Sequence, residues 1–129
     1  MSQKREPRVL IIEDDPFLLG IYKKKFELEG FKVYTAQDGE AGLSAVHKKH
    51  PSIVLLDILL QKLDGFSVLE ALKQDPKVQH IPVVLLTNFG QKKDVERGFE
   101  LGAEDYLIKT HFKPSELVDK VKEILLKYN

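Results

Sequence analysis

Five polar side chains of this sequence could carry out phosphoryl transfer together, and each stands at the end of an apolar run. Glu13 and Asp14 follow Val9-Leu10-Ile11-Ile12, and Asp57 follows Ile53-Val54-Leu55-Leu56. Thr87 follows Val83-Val84-Leu85-Leu86, and Lys109 follows Tyr106-Leu107-Ile108. Brought to one place, the three carboxylates would repel one another, so either one keeps its proton or a cation neutralises them. Hard oxygen donors, with no cysteine in the chain and no histidine spacing shared with the acids, favour Mg²⁺. Magnesium commonly takes a phosphate oxygen as well, and Lys109 and Thr87 supply the compact positive charge and hydroxyl that a phosphoryl group needs. No glycine-rich phosphate loop is present, so a bound nucleotide is not expected. Asp57 is then the candidate nucleophile, able to form an aspartyl phosphate.

The elements that must position these groups can be read in order. Short apolar runs predict strands buried on both faces, one near 8–13, one running to Asp57, one opened by Pro82 and running to Thr87 and one ending at Lys109, and a further strand is expected at Lys32-Val33-Tyr34-Thr35. Between them lie helical patterns. The first is entered through Asp15-Pro16, carries Phe17, Leu18, Ile21, Phe26 and Leu28, and ends at Gly30. The second starts at Asp38-Gly39 and carries Ala41, Leu43, Ala45 and Val46. The third follows Asp64-Gly65 with Phe66, Val68, Leu69 and Leu72; the fourth has Val95 and Phe99; the last opens with Pro114-Ser115-Glu116. Five βα units in strict alternation predict a parallel sheet with helices on both faces. Right-handed crossovers bring every strand's C-terminal end to one edge, where ligands bind in open α/β sheets. Asp15, next to Pro16, fits a helix cap better than a ligand.

Bulk properties bound the rest. The 129 residues fit one domain, with residues 1–7 expected to be a loose arm and 8–129 the folded unit. Lys plus Arg equals Asp plus Glu at 20 each, which gives no support to a nucleic-acid-binding surface. No apolar stretch nears the roughly 18 residues of a membrane span, and the first residues lack a signal peptide's apolar segment, so a cytoplasmic location is expected. His47, His50, His80 and His111 are expected at the surface.

Four stretches in order carry a family resemblance: Val9-Leu-Ile-Ile-Glu-Asp-Asp15, Leu55-Leu-Asp-Ile-Leu-Leu-Gln-Lys-Leu-Asp-Gly65, Pro82-Val-Val-Leu-Leu-Thr87 and Gly102-Ala-Glu-Asp-Tyr-Leu-Ile-Lys109. Along essentially its whole length the chain resembles the receiver domain of two-component response regulators, phosphoacceptors related to the chemotaxis regulator. The resemblance implies a flavodoxin-like, doubly wound (βα)5 fold with strand order 2-1-3-4-5. It implies a Mg²⁺ site with Asp14 as direct ligand, Glu13 acting through water, Asp57 as ligand and phosphorylation site, and the backbone carbonyl of Leu59 completing the set. Thr87 would be the switch hydroxyl and Tyr106 the switch aromatic, turning inward when Thr87 moves. Lys109 would pair with Asp57 before phosphorylation and with the phosphoryl group after it. The implied partners are a histidine kinase or phosphotransfer protein, and a downstream target or output domain. The downstream contact would use a face of the fourth helix, fifth strand and last helix that includes Arg97, Glu100, Leu101, Glu104, Tyr106 and Lys113. A phosphorylation-dependent homodimer is a further implied partner. The chain is expected to act as a regulatory single domain, stand-alone or cut from a longer regulator, without direct nucleic-acid or membrane contact.

Three departures from the family pattern stand out. Leu60-Gln61 stands where the family usually has Met-Pro, Asn88 where a small residue follows the switch Thr, and Thr110 where a Pro follows the Lys in a cis bond. A cis bond before Thr110 would cost about 3–4 kcal/mol, so either a trans bond with a rearranged loop or a strained cis bond is expected. Leu59 and Phe89, two residues beyond Asp57 and Thr87, should put apolar side chains at the rim and slow loss of phosphate. Two other functions compete. An Asp-nucleophile phosphatase would need a second Asp at position 59, which is Leu. A pseudo-receiver, never phosphorylated, is favoured by Asn88 and Thr110 and opposed by the intact acids, Thr87 and Lys109.

Overall fold

The structure is a computed structural model that describes residues 6–88 and 90–128. Five parallel strands form one sheet in the order β2-β1-β3-β4-β5: β1 Arg8–Ile12, β2 Lys32–Ala36, β3 Ile53–Asp57, β4 Val83–Thr87 and β5 Asp105–Ile108. Helices α1 Pro16–Leu28, α2 Gly39–Lys49, α3 Gly65–Gln74, α4 Lys92–Glu100 and α5 Pro114–Leu126 alternate with them. The flavodoxin-like strand order is therefore as expected. Among the described residues no helix is long and apolar enough to cross a membrane.

In the three inner strands the runs 9–12, 53–56 and 83–86 are apolar at every position because the sheet is covered there on both faces, whereas the edge strands β2 and β5 are only partly buried. Successive side chains point to opposite sides. Val9, Ile11, Ile53, Leu55, Val84 and Leu86 thus enter one core with Leu19, Tyr22 and Phe26 of α1 and Leu117, Val118, Val121 and Ile124 of α5. Leu10, Ile12, Val54, Leu56, Val83 and Leu85 enter the other, with Val46 of α2 and Val68, Leu69 and Leu72 of α3. Each such side chain contributes about 1.5–3 kcal/mol by leaving water. Helix entries are fixed by aspartates: Asp15 accepts from Phe17 and Leu18 N–H, Asp38 from Ala41 N–H and Asp64 from Ser67 N–H. Gly30 ends α1 in the left-handed region, at φ 92°, which a side chain would strain.

Two helix faces differ from expectation. In α1 the residues facing the sheet are Leu19, Tyr22 and Phe26, while Phe17 is 79% exposed and Ile21 and Leu28 are exposed as well. Apolar residues at 17, 18, 19, 21, 22, 26 and 28 surround this helix, so spacing alone does not choose its inner face. The edge-on contact of Phe26 with Phe31, centroids 5.0 Å apart, helps fix it. In α4 only Gly98 is buried and Phe99 is exposed.

Strand β5 stops at Ile108, one residue short of Lys109, and a single 3-10 turn follows over Lys109–His111. The described residues contain no cis peptide bond, so Lys109–Thr110 is trans and the connection is rebuilt around that turn. Residues 1–5 of the expected loose arm lie outside the described residues; the carbonyl of Pro7 accepts from Lys32 N–H.

His47 is at the surface, yet both its ring nitrogens are engaged. Nδ1 lies 3.0 Å from the Leu43 carbonyl and Nε2 2.6 Å from Asp75 Oδ2. Both partners accept only, so the ring must donate from both nitrogens and is held as the imidazolium. The Asp75 contact, followed by the Leu43 carbonyl, raises the His47 pKa, and the His47 contact lowers that of Asp75. The His47 contribution is complete below its ordinary pKa near 6.5 and is lost as pH rises through its raised value. That of Asp75 is complete above its ordinary value and lost as pH falls through its lowered one. Thermal melts should therefore show the wild type losing more stability than His47→Gln between pH 6 and 9. Parallel slopes for the two proteins would refute the pairing.

Candidate functional site

Parallel register assembles the site. Ile12 pairs with Leu56, Asp57 with Leu86 and Thr87 with Ile108, so the residues at or just past these positions share one sheet edge. Glu13 is tied to the neighbouring strand by its N–H donating to the Ala36 carbonyl. Glu13, Asp57 and Thr87 are the buried polar residues among those described.

Lys109 is the centre of the cluster. Its Nζ donates to Glu13 Oε1 at 2.5 Å and to Asp57 Oδ2 at 3.0 Å, with side-chain exposures of only 7% for Lys109 and 1% for Glu13. The remaining oxygens are also used: Asp57 Oδ1 accepts from Leu59 N–H at 3.1 Å, and Glu13 Oε2 from Asp15 N–H at 3.2 Å. One carboxylate oxygen each from Glu13, Asp14 and Asp57 lie within 4.8 Å of one another. Burial pushes the Glu13 carboxyl up; Lys109 opposes this, while the Asp57 carboxylate adds to it. Asp14 is likewise raised, by desolvation and then by Glu13 beside it. Burial works against the Lys109 ammonium, but Glu13 and Asp57 outweigh it and its pKa is raised.

These oxygens are a hard donor set of the kind a divalent cation takes, and one lysine is too little charge to neutralise three carboxylates. The set fits Mg²⁺. Glu13, Asp14 and Asp57 could hold it, and the Leu59 carbonyl lies on the loop directly beyond Asp57. The Leu59 side chain is 59% exposed at the rim. Phe89, the other expected rim residue, lies outside the described residues.

Thr87 and Tyr106 are already in contact through a side-chain hydrogen bond; burial nevertheless leaves the Tyr106 phenol raised. Tyr106 sits on β5 opposite Leu85, and a Cβ at Gly98 of α4 would lie 3.3 Å from its ring, so this side chain lies between strand and helix. Two features were not read from the sequence. Lys109 is shared with Glu13 rather than paired with Asp57 alone; the signal was that glutamate is one methylene longer than aspartate and can reach across. Tyr22, buried on α1, lies near enough to Lys109, Glu13 and Asp57 for their charges to act on its phenol. Asp15 is a cap, as expected.

Comparison with known proteins agrees with this geometry. Residues 9–122 match the family model described as the response regulator receiver domain. The chain is 39% identical over 119 residues to the DNA-binding dual master transcriptional regulator RpaA of Synechocystis sp., covering 92% of this chain and 49% of that protein. It thus spans about half the length of the curated relatives it matches. Among solved structures it is similar to the receiver domain of Francisella response regulator 1452, with 28% identity, TM-score 0.87 and coverage of 95% and 99% of the two chains. It is also similar to a CheY-like response regulator receiver domain protein from Methanospirillum hungatei, with 26% identity, TM-score 0.88 and coverage of 95% and 96%.

Removing Lys109 should expose what it balances. In Lys109→Met two buried carboxylates lose their counter-charge, and urea unfolding at pH 7 without metal should show a loss of about 3–5 kcal/mol. Glu13 would then bind a proton more readily folded than unfolded, so stability falls as pH rises through its raised pKa. Part of the loss should therefore return at pH 5. A variant equally unstable at both pH values would contradict the pairing.

Proposed function

This chain belongs to the response regulator receiver domain family, whose members are regulators rather than metabolic enzymes, and on that premise we propose that it is a phosphoacceptor switch working through Asp57. The observation that carries this reading is a lysine held at 2.5 and 3.0 Å by Glu13 and Asp57 inside a cluster of three carboxylates. A histidine kinase or phosphotransfer protein presents phosphohistidine. An Asp57 carboxylate oxygen attacks phosphorus, the P–N bond breaks, and the imidazole leaves with the bonding pair and takes a proton. Bound Mg²⁺, held by Glu13, Asp14, Asp57 and the Leu59 carbonyl, would neutralise charge on the carboxylates and phosphoryl oxygens. Lys109 transfers its hydrogen bond from the Asp57 carboxylate to the new phosphoryl group.

Thr87 then donates its hydroxyl to phosphate and Tyr106 turns inward with it, which shifts an existing equilibrium at the face of α4, β5 and α5. That face is already laced with charge. Lys120 pairs with Asp105, and Lys127 and the Tyr128 hydroxyl both reach Glu104. The Glu104 carboxylate pushes the Tyr128 phenol up to about 12. We place the downstream partner there: an output domain, a separate target or a second copy. The DNA binding in the relative's name is not assigned to this domain, which carries no net charge. For the donor we favour α1, whose exposed Phe17 and Ile21 lie at the same end of the fold as the site.

A pseudo-receiver remains the second reading, because Asn88 and Thr110 flank the site. Incubation with Mg²⁺ and a small phosphodonor separates the two. The account expects one added phosphoryl mass, absent in Asp57→Asn and without Mg²⁺; no added mass in the wild type would establish the pseudo-receiver. Two variants refine the scheme. Leu59→Asn should speed dephosphorylation severalfold by giving an attacking water a polar partner, and an unchanged rate would remove the rim from the explanation. Phe17→Ala should slow phosphorylation by a kinase while leaving the small-donor rate intact. Equal effects on both would move the donor's footprint elsewhere.

A further inference from the structure

The connection from β3 to α3 carries Leu59, and its own bonding is sparse. Leu60 N–H donates to Ile58, Leu63 N–H to Gln61 and Gly65 N–H to Ile58, and there is no proline to stiffen it. Lys62 sits at φ 68°, in the left-handed region that residues other than glycine rarely adopt. Such a conformation persists only when neighbouring structure enforces it.

The start of α2 is that neighbour. Gly39 is buried, and its N–H donates to the Gln61 carbonyl at 3.3 Å. A Cβ on Gly39 would lie 1.8 Å from the Leu63 carbonyl oxygen and 2.7 Å from its carbon, so backbone packs on backbone with no room for a methyl group. Asp38 works with both of its oxygens: Oδ1 caps α2 through Ala41 N–H at 2.8 Å, and Oδ2 lies 3.6 Å from Lys62 Nζ. On the other side of the connection, a Cβ on Gly65 would lie 2.5 Å from the Asp57 carbonyl. The segment is therefore pinched between α2 and the backbone of Asp57 itself.

We propose that Asp38 and Gly39 are positioning residues for phosphorylation, bracing residues 58–64 from outside so that the Leu59 carbonyl and the Asp57 carboxylate stay aimed at one metal ion. The proposal rests on the phosphoacceptor reading given above. Its consequence is specific. Loosening the brace should weaken Mg²⁺ binding and raise the Mg²⁺ concentration that phosphorylation needs, while the rate at saturating Mg²⁺ stays close to that of the wild type.

Mg²⁺ affinity is read from the Mg²⁺-dependent rise in Tm, which needs no turnover. Gly39→Ala should bind Mg²⁺ about tenfold more weakly, the lower end of what removing an outer support costs a metal site. Asp38→Asn keeps an oxygen for the cap and loses the charge facing Lys62, and should weaken binding by a smaller factor. Val46→Ala, in the core of α2 and away from the connection, should lower the metal-free Tm and leave Mg²⁺ affinity unchanged. Wild-type affinity in both Gly39→Ala and Asp38→Asn would overturn the brace, as would an equal loss in Val46→Ala. If Gly39→Ala does not fold, Asp38→Asn decides alone. A wild type that Mg²⁺ does not stabilise overturns the metal reading of the site, and the brace with it; a wild type that binds, with variants that bind equally, overturns the brace alone.

Discussion

Everything at this sheet edge depends on one interaction: the buried ammonium of Lys109 held between Glu13 and Asp57. Taking an ion from water costs several kcal/mol even after relaxation, and a buried pair repays this only with good geometry and satisfied neighbours. Both conditions hold, since the carboxylates also accept from the Leu59 and Asp15 N–H groups and no buried side-chain polar atom among the described residues lacks a partner. The arrangement is still one positive charge against three negative ones. That imbalance leaves a cluster of carboxylate oxygens that could hold a cation.

The fold serves this constraint. β3 and β4, the central strands carrying Asp57 and Thr87, are buried along their whole length, which fixes the two side chains to a rigid base. The connections above them are thinner and held by individual contacts. Asp38 and Gly39 touch the loop after β3, and a 3-10 turn replaces further strand after Ile108. Rigid strands fix Asp57 and Thr87, while the connections above them are held by fewer contacts. Tyr106 joins the two regimes, bonded to Thr87 and set so close to Gly98 that a Cβ there would lie 3.3 Å from its ring.

Much of this was legible in the sequence, and the parts that were not have physical reasons. Four-residue apolar runs ending in polar residues marked β1, β3 and β4, and strict alternation with helices gave the parallel sheet and the shared edge. Asp15 before Pro16 gave a cap, which the structure shows. The inward face of α1 was not legible, because apolar residues ring the helix and only the sheet decides that Leu19, Tyr22 and Phe26 turn in. The sharing of Lys109 was not legible either: reach across a crevice depends on side-chain length and register together. The trans bond at Thr110 was one of two expected outcomes. The fit of Gly39 against Leu63 is a contact across 24 residues that local pattern cannot contain.

The central claim is that Lys109 is a shared counter-charge that moves to phosphate. Nitrogen-15 NMR of its ammonium, recorded before and after phosphorylation of Asp57, tests this most directly. The account predicts a protected, hydrogen-bonded ammonium in the resting protein, perturbed by Glu13→Gln and by Asp57→Asn. On phosphorylation it should gain a coupling to phosphorus. An ammonium that exchanges freely with water in the resting state, or one that shows no phosphorus coupling when Asp57 is phosphorylated, would contradict it.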